Sequence, residues 1–94
     1  MIVAINETYH DYEPRQYVID SAKLNPENFV DAQLIKACKK SALQTSVDID
    51  ASKWEDEGSP FNGSEPGVSA ACRIKKKKGL KIDKSINLTI DFDC

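Results

Sequence analysis

Residues 25–51 read NPENFVDAQLIKACKKSALQTSVDIDA, and the hydrophobic period changes within them. Asn25 is a good N-cap. Pro26 fits the first helical position, where its missing N–H is no loss, and Glu27 meets the positive end of the helix dipole. Apolar residues then fall at Phe29, Val30, Leu34, Ala37, Cys38 and Ala42, the stripe of a helix lying on a core. Lys36, Lys39 and Lys40 suit its negative end. The spacing predicts a helix over about 26–42. From Leu43 the period falls to two. Leu43, Thr45, Val47, Ile49 and Ala51 alternate with Gln44, Ser46, Asp48 and Asp50, which is the pattern of a half-buried strand. A one-stripe helix joined to a one-faced strand must share a core with further strands, so the fold class is α+β.

Working outward, residues 1–5 and Gln16-Tyr17-Val18-Ile19 are short runs rich in β-formers. The polar stretch from Asn6 to Arg15, with Pro14, lies between them and predicts an antiparallel hairpin with a long tip. Residues 52–67 read as a loop, marked by Gly58-Ser59-Pro60, Asn62-Gly63 and Pro66-Gly67. Beyond it Val68, Ala70, Cys72 and Ile74 alternate with small or charged residues, and Ile86, Leu88, Ile90 and Phe92 do so again. These two segments are expected to be strands. If they pair, Arg73 and Lys75 stand opposite Asp91 and Asp93, each such pair contributing about 0.2–1 kcal/mol. The link 76–85 is a hairpin tip or a short extra strand. The expected architecture is one α+β domain over residues 1–94. It has an antiparallel-rich sheet of four to five strands and one amphipathic helix on one face, in the order β-β-α-β-β-β.

Composition agrees. The chain has 94 residues, 40% hydrophobic and 30% charged, with a net charge of −2, too apolar for a disordered chain. There is no run of about 18 apolar residues to cross a membrane. The apolar stretch at the N-terminus is too short for a signal peptide. A cytoplasmic protein without a membrane partner is expected. Cys38, Cys72 and Cys94 are odd in number and far apart, unlike a disulfide framework or a zinc motif. Cys38 and Cys72 read as small core residues. No cofactor and no metal is expected.

The near-neutral total hides a segregated chain. Residues 73–84 hold seven basic residues against Asp83, and residues 48–65 hold six acids against Lys53. Arg73, Lys75, Lys76, Lys77, Lys78 and Lys81 could form a cationic ribbon for phosphates, each contact releasing counterions. No aromatic stacking platform lies among them. Lysines also protect sheet edges from aggregation. Asp48, Asp50, Ser52, Trp54 and Asp56 fall at alternate positions of an EF-hand-like loop. The match fails where glycine and a bidentate glutamate are required, at Lys53 and Ser59.

Two further stretches suit recognition. Trp54, Glu55, Asp56 and Glu57 combine an interface-type aromatic with carboxylates that steer a basic partner, although a tryptophan such as Trp54 more often plugs a core. Tyr9, His10, Tyr12 and Arg15 crowd the first hairpin tip, where tyrosine and arginine give large contact area at low entropy cost. His10 is the only histidine, with no nucleophile motif around any Ser or Cys, and there is no phosphate-binding glycine loop. A chain this short also leaves little room for a pocket of roughly 300 Å³.

The function expected from the sequence is therefore a non-enzymatic binding protein that covers the surface of a partner. That partner would be another protein or a protein–nucleic acid complex. Small inhibitors such as immunity proteins and phage-type blockers of host defence share this make-up. The alternative is a nucleic-acid-binding module using residues 73–84. A single helix over a five-strand sheet also leaves an apolar edge that would close as a homodimer.

Overall fold

A computed structural model describes residues 1–9, 13–50, 68–75 and 78–91. Strands β1 (Ile2–Tyr9), β2 (Arg15–Asp20), β3 (Gln44–Asp50), β4 (Arg73–Ile74) and β5 (Lys84–Asp91) accompany one helix, α1 (Phe29–Cys38). Short 3₁₀ turns occupy Ser21–Lys23 and Ala70–Cys72. The α+β class, the single helix and the five strands are as the sequence leads one to expect.

The helix is shorter than its stripe suggests, and the reason is local. The N-cap is Asn28, whose side chain accepts from Asp31 N at 3.1 Å. Asn25 instead folds into an Asx turn, its carboxamide accepting from Glu27 N at 3.0 Å. At the other end Lys39 N and Lys40 N donate to carbonyls three residues back, at 3.2 Å each, and tighten the last turn. The buried Lys84 ammonium then donates to Lys40 O at 2.6 Å and ties the helix exit to the start of β5. Val30, Leu34 and Ala37 form the stripe that meets the sheet.

The strands lie in the order β3-β5-β1-β2-β4. β1–β2 and β2–β4 are antiparallel, while β1–β5 and β3–β5 are parallel. The sheet is thus mixed, with its two pairing types in equal number. The expected pairing of the two C-terminal strands does not occur, because β2 and β1 stand between β4 and β5. Arg73 lies across from Ile19, and Asp91 across from Asp50. Ile86, Leu88 and Ile90 gain most by entering the middle of the sheet. There they continue the row of Ile5 and Tyr9 on one side and of Val47 and Ile49 on the other. The segment 68–74 departs from strand geometry for a related reason. Val68 and Cys72 are its buried residues, four apart, while Ala70 and Ala71 are exposed. A tight turn places that pair inward, and only Arg73 and Ile74 remain extended.

Alternation divides the sheet into two faces. Val3, Ile5, Tyr9, Ile19, Ile49, Ile86, Leu88 and Ile90 pack with α1, Val68 and Cys72 into one core. The face away from the helix carries Ala4, Asn6, Gln16, Val18, Ser46, Asp48, Asn87 and Thr89, with Asn6 Nδ2 donating to Asn87 Oδ1 at 3.1 Å. Parallel strands need a crossover. Residues 75–83 supply the one from β4 back to β5, and Ile82 borders a cleft with Ala4, Val18 and Ile74 of the open face. Ile82 thereby brings the 78–83 part of this strap against that face.

Candidate functional site

The ionisable groups inside the protein are held by structural tasks. Asp31 is fully buried in the first turn of α1. Its Oδ2 accepts from Asn25 N at 2.8 Å and its Oδ1 from Ser69 N at 3.0 Å. It therefore staples the helix entry to the segment 68–74. Glu7 is fully buried on β1 and accepts a hydrogen bond from the Tyr17 hydroxyl of β2. The Arg73 guanidinium covers the Tyr17 ring at 4.3 Å and also donates to Val68 O at 3.4 Å. Burial, then the hydrogen bond and the charge of Glu7, push the Tyr17 phenol far above its ordinary 10.0 and keep it protonated.

The cysteines behave as core residues. Burial, followed by the nearby Asp31 carboxylate, pushes the Cys72 thiol up to about 11, and burial also raises Cys38. At pH 8 the Cys72 thiolate should be on the order of 100-fold scarcer than in an ordinary thiol, from a rise of two units above 9.0. Labelling with a thiol reagent, read by peptide mass spectrometry, should mark Cys72 only after denaturation. Rapid native labelling of Cys72 would contradict its burial. Among the described residues no three His, Cys, Asp or Glu side chains converge to hold a metal ion.

The surface residues singled out from sequence separate into groups. Tyr9 is 4% exposed and belongs to the core, not to a contact loop. β1 runs on through Tyr9, so the hairpin tip begins later than the polar composition implied, and the even spacing from Val3 carries Tyr9 inward. Arg15 is exposed at the start of β2, across from Glu7. His10, Tyr12, Trp54, Glu55, Asp56, Glu57, Lys76 and Lys77 lie outside the described residues, as does Asp93. Arg73 is engaged inside the molecule through Tyr17. Lys75, Lys78 and Lys81 are exposed, and the single salt bridge found among the described residues joins the N-terminal ammonium to Asp20 instead.

The segregated charges therefore have a spatial counterpart. Asp48, Asp50 and Asp91 sit on the β3 side of the sheet, and Arg73 and Lys75 on the β4 side. Four strand spacings, roughly 19 Å, separate the two edges.

Beside the lysines lies a feature that length alone argued against. A cleft of about 370 Å³ is lined by Ala4, Ile5, Asn6, Gln16, Tyr17, Val18, Ile74 and Ile82. Its floor is the open sheet face and one wall is the strap. The sequence signal was present in the alternation of Leu80 and Ile82, but its partner surface follows only from the strand order. No helix among the described residues is long and apolar enough to cross a membrane. No protein-family model matches the sequence, and no curated protein or solved structure matches it either.

Proposed function

We propose that this chain is a non-enzymatic binding module that works by covering an anionic surface of a macromolecular partner. The observation that carries the reading is the set of exposed lysines Lys75, Lys78 and Lys81, which make no ion pair among the described residues. They stand on one connector, at the edge of a sheet whose second face is largely open. Uncompensated cations held together raise the rate of encounter with an acidic partner and repel basic ones. The buried ionisable groups support the same reading, because Asp31, Glu7, Tyr17 and Lys84 are each engaged in holding the fold. A partner that is itself a protein, or a protein–nucleic acid complex, fits an inhibitor that acts by occupancy.

The second reading, direct binding of nucleic acid, rests on the same lysines. The two are separated by one variant and one titration. The triple variant Lys75→Glu, Lys78→Glu, Lys81→Glu should melt within a few degrees of the parent, since exposed positions away from the core shift stability by about 0.5 kcal/mol or less. It should lose the cellular partner that cross-linking captures with the parent chain. Retention of that partner by the variant would refute the assignment of the contact face. For duplex DNA the log–log salt slope should approach roughly −3 if each lysine neutralises one phosphate. Binding that is absent or flat with salt would remove the nucleic-acid reading.

A further inference from the structure

We infer that the cleft between Ile74 and Ile82 receives an aliphatic side chain from an acidic peptide segment of the partner. This rests on the reading of the lysine connector as the contact face, and it names what that face recognises.

The first reason is the composition of the cleft. Ala4 and Val18 form its floor, Ile74 and Ile82 its apolar sides, and Asn6 and Gln16 its polar rim. Val18 is already 7% exposed beneath the strap, whereas Ile82 remains 40% exposed. One apolar wall therefore still faces water, next to a floor buried at Val18 and half-buried at Ala4. An incoming aliphatic group would complete the burial of Ile82 at little cost in order, because the neighbouring Asp83 is fixed to β1 and Ile74 to β2. Asp83 N donates to Ile2 O at 2.8 Å and the Asp83 carboxylate accepts from Ile2 N at 2.9 Å. Ile74 pairs with Val18 in the β2–β4 ladder.

The second reason is charge. Lys75 directly follows Ile74, and Lys81 directly precedes Ile82, so an exposed lysine is the chain neighbour of each apolar side, while Asp83 on the other side of Ile82 spends its carboxylate on Ile2 N. Lys78 stands between them at the turn closed by Gly79, whose φ of +86° suits glycine. An apolar pocket close in the chain to three exposed lysines that make no ion pair among the described residues fits an aliphatic residue set among carboxylates. It fits a nucleic acid poorly. Tyr17 is the one aromatic lining residue, and its ring lies under the Arg73 guanidinium rather than open for a base to stack on. Gln16, exposed on the rim, offers its carboxamide to the backbone of an extended segment.

The test is a titration of the ¹⁵N-labelled full chain with three probes. One is a synthetic decapeptide of glutamates and aspartates around a central leucine. The second has serine in place of the leucine. The third is a twenty-base-pair DNA duplex. The leucine peptide should move the amide signals of Ala4, Gln16, Val18 and Ile74, and the serine peptide should bind about tenfold more weakly, the effect of burying a partial side chain. Ile82→Ser, at an exposed position, should reduce the affinity for the leucine peptide to that for the serine peptide and leave the remaining spectrum unchanged. Equal binding of both peptides, with no effect of Ile82→Ser, would overturn the cleft while the lysine face stands. Binding of the duplex alone would overturn the peptide and assign the face to nucleic acid. If none of the three probes binds, the cleft and the lysine face fall together.

Discussion

Asp31→Ala is expected to lower the unfolding free energy by about 2–4 kcal/mol, a large part of the roughly 5–15 kcal/mol available to a domain. The substitution removes a fully buried carboxylate that accepts from Asn25 N and Ser69 N. Both backbone donors would lose their acceptor, the one at half-buried Ser69 at a cost of about 1–3 kcal/mol and the one at exposed Asn25 at less, because water can reach it. The helix would also lose an acid from its first turn, where the dipole favours one. The effect should not be confined to the helix, since Ser69 leads into Cys72 and the short β4 strand. Chemical denaturation followed by circular dichroism would give the value. Asp31→Asn is the informative comparison, because its carboxamide oxygen can replace one of the two acceptors and should recover part of the loss. A change below about 0.5 kcal/mol for Asp31→Ala would show that the staple does not hold the fold.

The second large effect is the response to alkali. The Tyr17 phenol has a folded pKa raised above its ordinary 10.0, first by burial and then by Glu7. The sign follows from linkage. Below pH 10 the phenol is protonated in both states, so the stabilisation is fully present. As pH rises past 10 the unfolded chain releases this proton and the folded protein does not, so stability falls until the folded value is reached. Cys72, at about 11, adds to the same loss from its ordinary 9.0 upward. The protein should therefore unfold cooperatively in alkali, with Tyr17 ionising only in that transition. Absorbance at the phenolate band, followed beside circular dichroism, would show it. Smooth ionisation of all the tyrosines near pH 10 in a folded protein would overturn the buried pair. Tyr17→Phe should remove the tyrosine part of the alkaline loss. At neutral pH it should cost about 1–3 kcal/mol, since the hydrogen bond that the hydroxyl donates to the buried Glu7 carboxylate is lost.

The parts of this fold that were legible in the sequence are those written in local periodicity. The stripe from Phe29 to Cys38, the alternation through β3 and the alternation through β5 each name an element and its buried face. What periodicity does not carry is the identity of the neighbour. Ile86, Leu88 and Ile90 mark a buried strand, but nothing in them distinguishes pairing with residues 68–74 from insertion between β1 and β3. The segment around Cys72 was misread because Ala70 and Ala71 are small enough to satisfy an alternating pattern and a tight turn alike. At the surface, the exposure of Lys75, Lys78 and Lys81 was legible, since charge in a run has few places to go. The engagement of Arg73 with Tyr17 was not, because it depends on β4 lying next to β2. The cleft escaped for the same reason: a floor from residues 4–18 and a wall from residue 82 meet only once the crossover is known.

The interior position of β5 sets a temporal constraint as well as a spatial one. β1 and β3 do not touch as neighbours; residues 84–91 form the seam between them. During synthesis on the ribosome, the first fifty residues can assemble a hairpin and a helix but must leave one side of β1 and both sides of β3 without a ladder partner. Closure waits for a segment more than thirty residues downstream to slot between them, a nonlocal step that slows folding and exposes raw strand edges meanwhile. A nascent chain of this design therefore meets its greatest hazard of sticking to other chains just before its seam strand clears the exit tunnel.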